Sequence, residues 1–340
     1  MNAKATDQGS ASARNNSGGM GERDLVRLRQ AAEQGDASAQ HSLGTMYERV
    51  QGVPYDPTQA VRWYRKAAEQ GNASAQNDLG AMYDKGQGGL AQNAEQAVYW
   101  YQKAAAQGDA VAQNNLGAMY AAGHGSPQDY AQAANWYRKA AEQGNADGQY
   151  NLGVLYDTGT GVAMDGEQSA AWMLKAAEQG RADAQNYLGS LYQRGQGVNQ
   201  DFAQAADWYR KSAEQGNTIA QNNLAALYVL GQGVPQDYKQ AVYWTRKAAE
   251  QGNVNAQYNL GVRYDQGQGV EKDERQAYQW YLKSAQQGFA FAQFTIGVML
   301  EKGLGVAQNK QQAIVWYQKA AQSDDPTAQK LARLQLEHLQ

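Results

Sequence analysis

All eight tryptophans of the chain fall on a single register. They are Trp63, Trp100, Trp136, Trp172, Trp208, Trp244, Trp280 and Trp316, and they are separated by 37 residues once and by 36 residues six times. The glycines share this period, since 32 of the 37 lie between positions 37 and 325. A fixed period of this length is typical of stacked structural repeats, in which each unit contacts its neighbours.

Each repeat is predicted to form two helices. The eight copies begin at Ala37, Ala73, Ala110, Ala146, Ala182, Thr218, Val254 and Ala290. In the first copy, apolar residues recur at i, i+4, i+7 and i+8 from Ala39 to Tyr47, which indicates one buried helical face. A second such face runs from Ala60 through Trp63 and Tyr64.

Glycines and short polar residues mark the helix ends. A Gly-x-Gly-Val stretch follows the first helix, and glycine accepts the left-handed turn beyond a helix C-terminus. The second helix opens with Asp or Asn followed three residues later by Gln, a pattern that predicts a capping box in which the glutamine side chain returns to the cap amide. The pairs are Asp56/Gln59, Asn93/Gln96, Asp129/Gln132, Asp165/Gln168, Asp201/Gln204, Asp237/Gln240, Asp273/Gln276 and Asn309/Gln312.

Neither helix can bury its apolar face within one unit, so neighbouring repeats must complete the core. Gly44 and its equivalents lie inside the first helix, where close approach of the paired helix offsets a helix penalty of about 1 kcal/mol. The expected organisation is a disordered polar tail at 1–21, an N-terminal half-repeat helix at 22–36, eight repeats at 37–325 and a C-terminal capping helix at 326–340.

The motifs Ala-x-Ala-Gln-x-x-Leu-Gly-x-x-Tyr, Gly-x-Gly-Val and Ala-x-x-Trp-Tyr-x-Lys-Ala-Ala resemble the Sel1-like repeat, a relative of the tetratricopeptide repeat. The resemblance covers about residues 24 to 335. It implies an all-α, right-handed α/α superhelical solenoid whose first helices line a concave surface. It also implies a bacterial adaptor or host-interaction role, with immunity to type VI secreted phospholipases among the functions of similar proteins.

Composition excludes several classes of function. The chain has 30 basic and 33 acidic residues and a net charge of −3, so it lacks the positive surface that binds a phosphate backbone, and we expect no nucleic-acid partner. It has no cysteine, which removes thiol chemistry and the paired cysteines of relatives linked to β-lactams.

No apolar run is long enough for a membrane span. The polar N-terminus has no signal-peptide pattern, which predicts a cytoplasmic protein, or a periplasmic one if an export signal has been removed.

The chemistry-bearing residues do not form a catalytic pattern. His41, His124 and His338 lie respectively on a first-helix surface, in a glycine-rich turn and in the C-terminal cap, without metal-ligand spacing. We therefore expect a non-enzymatic protein with no cofactor, no metal and no catalytic residues.

Polar residues beside the buried face of the first helices are the candidate binding site. Asparagine is a mediocre helix former, yet it recurs there as Asn77, Asn114, Asn115, Asn151, Asn186, Asn222, Asn223 and Asn259. One interpretation is a ladder of amides that holds the backbone of an extended peptide. The alternative is that these amides bond neighbouring helices across each repeat junction.

Departures from the repeat are candidate specificity positions. Tyr150, Tyr187, Tyr258 and Phe294 replace the polar pattern, and Val229 and Leu230 replace a charged pair. Aromatic anchors often dominate interface energetics, so we expect these residues to contact a partner.

The leading hypothesis is a scaffold or adaptor that binds a peptide or protein in its concave groove. An immunity protein that neutralises a type VI secreted phospholipase-type effector is the alternative, and a cell-wall or β-lactam hydrolase is a weaker one. The partner and the oligomeric state stay open.

Overall fold

The computed structural model describes residues 22–49 and 52–339, so the expected tail at 1–21 lies outside the described residues. The described residues form 18 α-helices and no β-strand. The helices are α1 Glu22–Glu33, α2 Ala37–Arg49, α3 Pro57–Glu69, α4 Ala73–Lys85, α5 Ala94–Ala106, α6 Ala110–Ala122, α7 Tyr130–Glu142, α8 Ala146–Thr158, α9 Gly166–Glu178, α10 Ala182–Arg194, α11 Phe202–Glu214, α12 Thr218–Leu230, α13 Tyr238–Glu250, α14 Val254–Gln266, α15 Glu274–Gln286, α16 Ala290–Lys302, α17 Lys310–Ala321 and α18 Pro326–His338.

Each repeat consists of an even-numbered first helix and the odd-numbered second helix that follows it, from α2–α3 in repeat one to α16–α17 in repeat eight. The described chain divides into two compact units, α1 to α8 and α9 to α18. Within each unit, every helix packs against the next one in the chain, and the closest packing joins the two helices of one repeat. The all-α solenoid expected from the sequence is confirmed.

The core consists of the faces that the apolar period predicts. One fully buried aliphatic residue occupies the seventh position of each first helix: Leu43, Leu79, Leu116, Leu152, Leu188, Leu224, Leu260 and Ile296. In the second helices, Ala60, Tyr64 and Ala67 are fully buried, together with their equivalents in most repeats. The two faces meet in clusters that combine residues from adjacent helices, as stacking requires.

A glycine of the first helix lies directly against a tyrosine ring of the second. A Cβ atom added to Gly189 would lie 2.7 Å from Cδ1 of Tyr209, and the same arrangement joins Gly44 to Tyr64. No ordinary side chain fits at that distance, so glycine is required for the approach of the two helices. The tyrosine hydroxyl reaches one turn further along the first helix, where that of Tyr209 donates a 2.7 Å hydrogen bond to Oε1 of Gln193. Burial raises the pKa of Tyr209 to about 12, so this donor keeps its proton at neutral pH.

A buried glutamine at the fourth position of each first helix connects three successive helices. Nε2 of Gln113 donates to the carbonyl of Ala105 at the end of the preceding helix, at 3.2 Å. Oε1 of Gln113 accepts a 2.7 Å hydrogen bond from Nε2 of Gln143, which caps the helix that follows. The donor bond recurs in all eight repeats, from Gln40, Gln76, Gln113, Gln149, Gln185, Gln221, Gln257 and Gln293. These glutamines therefore satisfy orphan carbonyls that stacking removes from water.

The predicted caps form, with one correction. The side chain of Asp201 accepts hydrogen bonds from the amides of Ala203 and Gln204, and the cap side chain of every second helix in the eight repeats accepts in the same way. The reciprocal half of the capping box was wrong for Gln204, because the amide of Asp201 donates instead to the carbonyl of Tyr192 at 2.9 Å. This bond fixes the entry of the second helix to the end of the first.

The loop glycines end the first helices as predicted. Gly123 has a φ of 66° and caps α6, and Gly125 has a φ of 69°. A Cβ atom on Gly125 would lie 2.3 Å from the carbonyl oxygen of Ala94, so the loop packs on the start of the preceding second helix. The loop glycines therefore end the helix, as the sequence predicts, and they also allow a close packing that was not predicted.

The tryptophans line the core with one edge and carry a lysine on the outer side. Trp63, Trp100, Trp208 and Trp244 are buried, and the other four are half-buried. In every repeat the lysine three residues later lies over the ring, with Nζ 3.9–5.2 Å from the ring centroid. Each indole thus has a cation of its own helix as a neighbour.

No described helix has both the length and the apolar character that crossing a membrane requires.

Replacing Gly189 by Ala is expected to lower the free energy of unfolding by about 1–3 kcal/mol, because the new methyl group overlaps the Tyr209 ring. In a Tyr209→Thr background the same change should cost much less, with a coupling of about 0.5–3 kcal/mol. Urea unfolding of the four proteins of this cycle measures the coupling. An equal cost in both backgrounds would contradict the role given to the glycine.

Replacing Gln113 by Leu should cost about 1–3 kcal/mol, because the Ala105 carbonyl and the Gln143 amide lose their buried partner. Gln132→Leu is the matched control, since Gln132 has an exposed side chain and should change stability by no more than about 0.5 kcal/mol. Thermal unfolding compares the two variants. Similar melting temperatures would show that the buried glutamine does not hold the junction together.

Candidate interaction site

The candidate site lies on what we call the first-helix face, formed by positions five, six, nine, twelve and thirteen of each first helix. In repeat six these are Asn222, Asn223, Ala226, Val229 and Leu230. All predicted partner-binding residues belong to this face. The asparagines among them are half-buried, because their side chains extend sideways toward the next repeat.

The asparagines pair across repeat junctions. Nδ2 of the sixth-position residue donates to Oδ1 of the fifth-position residue in the preceding repeat. The four bonds are Asn115 to Asn77 at 3.0 Å, Asn151 to Asn114 at 2.9 Å, Asn223 to Asn186 at 3.2 Å and Asn259 to Asn222 at 2.9 Å. This is the junction bonding that the sequence analysis gave as the alternative to a peptide-binding ladder.

The paired asparagine side chains keep further donors and acceptors for hydrogen bonds. An asparagine side chain has two N–H donors and two acceptor lone pairs, and each bond uses one of these on each partner. Each compact unit has two such pairs at consecutive repeat junctions. A role of this ladder in peptide binding stays a prediction.

A histidine–carboxylate pair takes the same place at the junction of repeats one and two. Nε2 of His41 lies 2.8 Å from Oδ2 of Asp78, and His41 is half-buried with its ring 5.7 Å from that of Tyr64. His124 lies 3.4 Å from Asp84. Within the described ranges, no three His, Cys, Asp or Glu side chains are grouped as metal ligands.

Tyr258 and Phe294 pack partly against the core, and their contact with a partner stays a prediction. The Tyr258 ring lies 5.2 Å from the Tyr281 ring and 5.1 Å from the Phe289 ring, and Phe294 lies 5.6 Å from Tyr317. Both residues are half-buried and pack against the core of the last repeats. In these two repeats the residue at the fifth position of the first helix is a bulky ring that covers part of the core.

The remaining departures differ in exposure. Tyr150 and Tyr187 are half-buried, and each is engaged in interactions of its own. Val229 is half-buried, whereas 61% of Leu230 is exposed. Val229 and Leu230 line a surface cavity that Tyr258 and Phe294 do not line.

This cavity, which we call the repeat-six cavity, lies between α12, α13 and α14 and has a volume of about 190 Å³. It is lined by Asn222, Ala225, Ala226, Val229, Leu230, Thr245, Asn259 and Arg263. Ala225 stands where the other seven repeats have the packing glycine, and Thr245 stands where six of them have the tyrosine. The cavity opens because threonine is much smaller than the ring that it replaces.

Arg263 is the third departure at the cavity. The same position holds a buried Met or Leu in the other seven repeats. Arg263 is half-buried, and burial lowers the pKa of its guanidinium, which means that its charge is poorly solvated. Its Nη1 donates to Oε1 of Gln268. Across residues 22–49 and 52–339, no carboxylate forms an ion pair with it.

Ala225, Thr245 and Arg263 were not among the predicted site residues, although the sequence contains a signal for them. Each breaks a position that is nearly constant among the eight copies. The three lie 18 to 38 residues apart in sequence, so only packing shows that they converge on one cavity.

The chain belongs to the Sel1 repeat family. The family model matches eight consecutive stretches, 37–72, 73–109, 110–145, 146–180, 182–217, 218–253, 254–289 and 290–325. Repeats of this family mediate protein–protein interaction, and its members are typically non-enzymatic scaffolds. A comparison with curated proteins gives no match.

Solved structures support the same family. The chain is 44% identical to c5321, a protective antigen of uropathogenic Escherichia coli with an SLR fold, with a TM-score of 0.81 over 92% of this chain and 67% of that one. It is 34% identical to a Sel1 repeat protein of Oxalobacter formigenes, with a TM-score of 0.68 over 92% of this chain and 90% of that one.

An immunity protein is a more distant neighbour. Pa5087 of Pseudomonas aeruginosa is 22% identical, with a TM-score of 0.40 over 63% of this chain and 81% of that one. A likeness at this level carries no argument about function, so the immunity hypothesis stays a prediction.

Replacing Arg263 by Met should raise the free energy of unfolding by about 1–2 kcal/mol, because a poorly solvated charge gives way to the apolar residue of the other repeats. Arg275→Met is the matched control, since Arg275 is exposed and the change should be within about 0.5 kcal/mol of neutral. Urea unfolding measures both. A destabilised Arg263→Met protein would show that the arginine serves the fold.

Proposed function

We propose that the chain is a non-enzymatic scaffold that holds an extended segment of a partner protein along its first-helix face. The observation that carries this proposal is the set of asparagine pairs at four repeat junctions, those of repeats two and three, three and four, five and six, and six and seven. An extended backbone presents donors and acceptors at regular intervals, and amide side chains can match both kinds.

The surroundings of the pairs support close approach of a partner. Position nine of the first helix carries small residues beside the amides, including the exposed Ala118 and Ala226. A backbone can approach such a surface without displacing long side chains. The exposed Leu230 adds an apolar contact at the end of the same helix as Ala226.

The proposal also agrees with how the repeats use their residues. The core, the caps and the glutamine bridges recur almost unchanged, so they serve the stack. The copies differ at exposed and half-buried positions of both helices, and on the first-helix face they differ at Tyr150, Tyr187 and Leu230. In a scaffold, such differences between repeats can provide specificity for a partner.

The test is a variant that removes two complete amide pairs. Asn114, Asn151, Asn222 and Asn259 are replaced together by Ala, which leaves no single amide without its partner and so should change stability little. Partners are captured from the native host by affinity pull-down and identified by mass spectrometry. We expect the partner that the unchanged protein retains to be lost or at least about tenfold depleted, as a few lost hydrogen bonds imply.

The control places polar-to-alanine changes on the second helices. Asn135→Ala and Gln102→Ala alter exposed side chains away from the first-helix face and should leave capture unchanged. Equal capture by the quadruple variant and by the unchanged protein would overturn the peptide-binding role of the asparagines. Loss of capture in the control alone would move the binding surface to the second helices.

A further inference from the structure

Three departures from the repeat converge on the repeat-six cavity. Ala225 is 2% exposed and Thr245 is 3% exposed, so both form its floor, and Arg263 lies at its side. In the neighbouring repeats the same volume is filled by a tyrosine ring packed on glycine, as Tyr281 packs on Gly261. The chain thus replaces a filled junction by an open one at this place.

Arg263 does not simply replace the missing ring. If its side chain filled the space left by the tyrosine, the junction would be closed, yet about 190 Å³ remains open. A cavity of roughly 150 Å³ with apolar walls holds a benzene-sized molecule in another protein, so this volume suits one medium-sized side chain.

The walls indicate an aliphatic occupant. Ala225, Ala226, Val229 and Leu230 present methyl groups to the cavity, and Leu230 leaves most of its side chain exposed at its edge. A leucine-sized side chain entering from solvent would cover these groups and remove apolar surface from water on both partners.

The guanidinium of Arg263 indicates which chemical group lies beside that aliphatic side chain. It is partly removed from water, it has a neutral amide oxygen of Gln268 as its acceptor, and it has no ion pair within the described residues. A guanidinium has five donors in a planar fork that fits a carboxylate with two parallel hydrogen bonds. A carboxylate beside the aliphatic side chain would therefore supply the missing counter-charge.

We propose that the repeat-six cavity is an anchor site for a partner segment in which a leucine-sized side chain stands next to a carboxylate. The proposal deepens the proposed function, since it assumes that the first-helix face holds a protein segment. The aliphatic side chain occupies the space above Ala225 and Thr245, and the carboxylate accepts from Arg263. The bonded amides of Asn222 and Asn259 lie at the same cavity, where the backbone of the segment passes.

The experiment uses random dodecapeptides displayed on phage and selected against the full chain. Enriched peptides are then synthesised with a fluorescent label, and their affinity is measured by fluorescence polarisation. We expect enrichment of an aliphatic residue adjacent to Asp or Glu. Arg263→Met should weaken the selected peptide at least about tenfold, the size of one charge-assisted pair.

A double cycle assigns the carboxylate to the arginine. Changing the acidic residue of the peptide to its amide should weaken binding to the unchanged protein about as much as Arg263→Met does. The same peptide change should have little further effect on the Arg263→Met protein, because the two groups act on each other. Equal effects of the peptide change on both proteins would overturn the assignment.

A variant that restores the common repeat tests the cavity itself. Ala225→Gly, Thr245→Tyr and Arg263→Met together reproduce the residues of the other repeats, where Gly261, Tyr281 and Met299 pack without difficulty. Its helical circular dichroism and melting show whether it folds. We expect a folded protein that no longer binds the peptide.

The outcomes separate this proposal from the scaffold function. Peptides that bind the restored variant as tightly as the unchanged protein would overturn the anchor site, and so would the absence of any enriched motif. Peptides that are insensitive to the cavity but lost in the asparagine quadruple variant would support the scaffold function and overturn the anchor site alone. If the restored variant fails to fold, Arg263→Met and the double cycle decide the result.

Discussion

The contact between a glycine of the first helix and a tyrosine ring of the second determines the geometry of six of the eight repeats. It brings the two helices so close that a single methyl group would overlap the ring, as at Gly117 and Tyr137. Once the helices are paired, their remaining apolar faces point outward from the pair. Those faces leave water only when the next repeat covers them, and the buried glutamines satisfy the carbonyls that this covering removes from solvent.

Most of this architecture could be predicted because the same sequence pattern occurs in eight copies. The period of the tryptophans, the apolar faces and the cap residues each follow from local rules that need no tertiary information. The glutamine bridge was not predicted. Gln113 belongs to the recognised motif, but its partners lie eight residues before it and thirty after it, on two other helices. The reciprocal capping bond failed for a related reason, since a carbonyl of the preceding helix competes for the same amide.

The candidate site depends on tertiary contacts more than the helices and caps do. The asparagines lie where the helical period places them, but the period alone could not show that they bond each other across junctions. The sequence also could not show which other side chains an aromatic ring at the same position contacts, as Tyr258 contacts Tyr281. At the repeat-six cavity, Ala225 is larger than the usual glycine, Thr245 is smaller than the usual tyrosine, and Arg263 is charged where the other repeats have Met or Leu. The cavity results from how these three residues pack together, which no single position reveals.

The central claim is that no repeat is stable without its neighbours, and native-state hydrogen exchange after Leu116→Ala tests it most directly. Leu116 is fully buried in repeat three, and its truncation should cost about 2–5 kcal/mol. We predict faster amide exchange in α6 and α7 and also in the adjoining α5 and α8, because their apolar faces depend on the damaged pair. Faster exchange confined to α6 and α7, with α5 and α8 unchanged, would show that each repeat is stable by itself and would contradict the account.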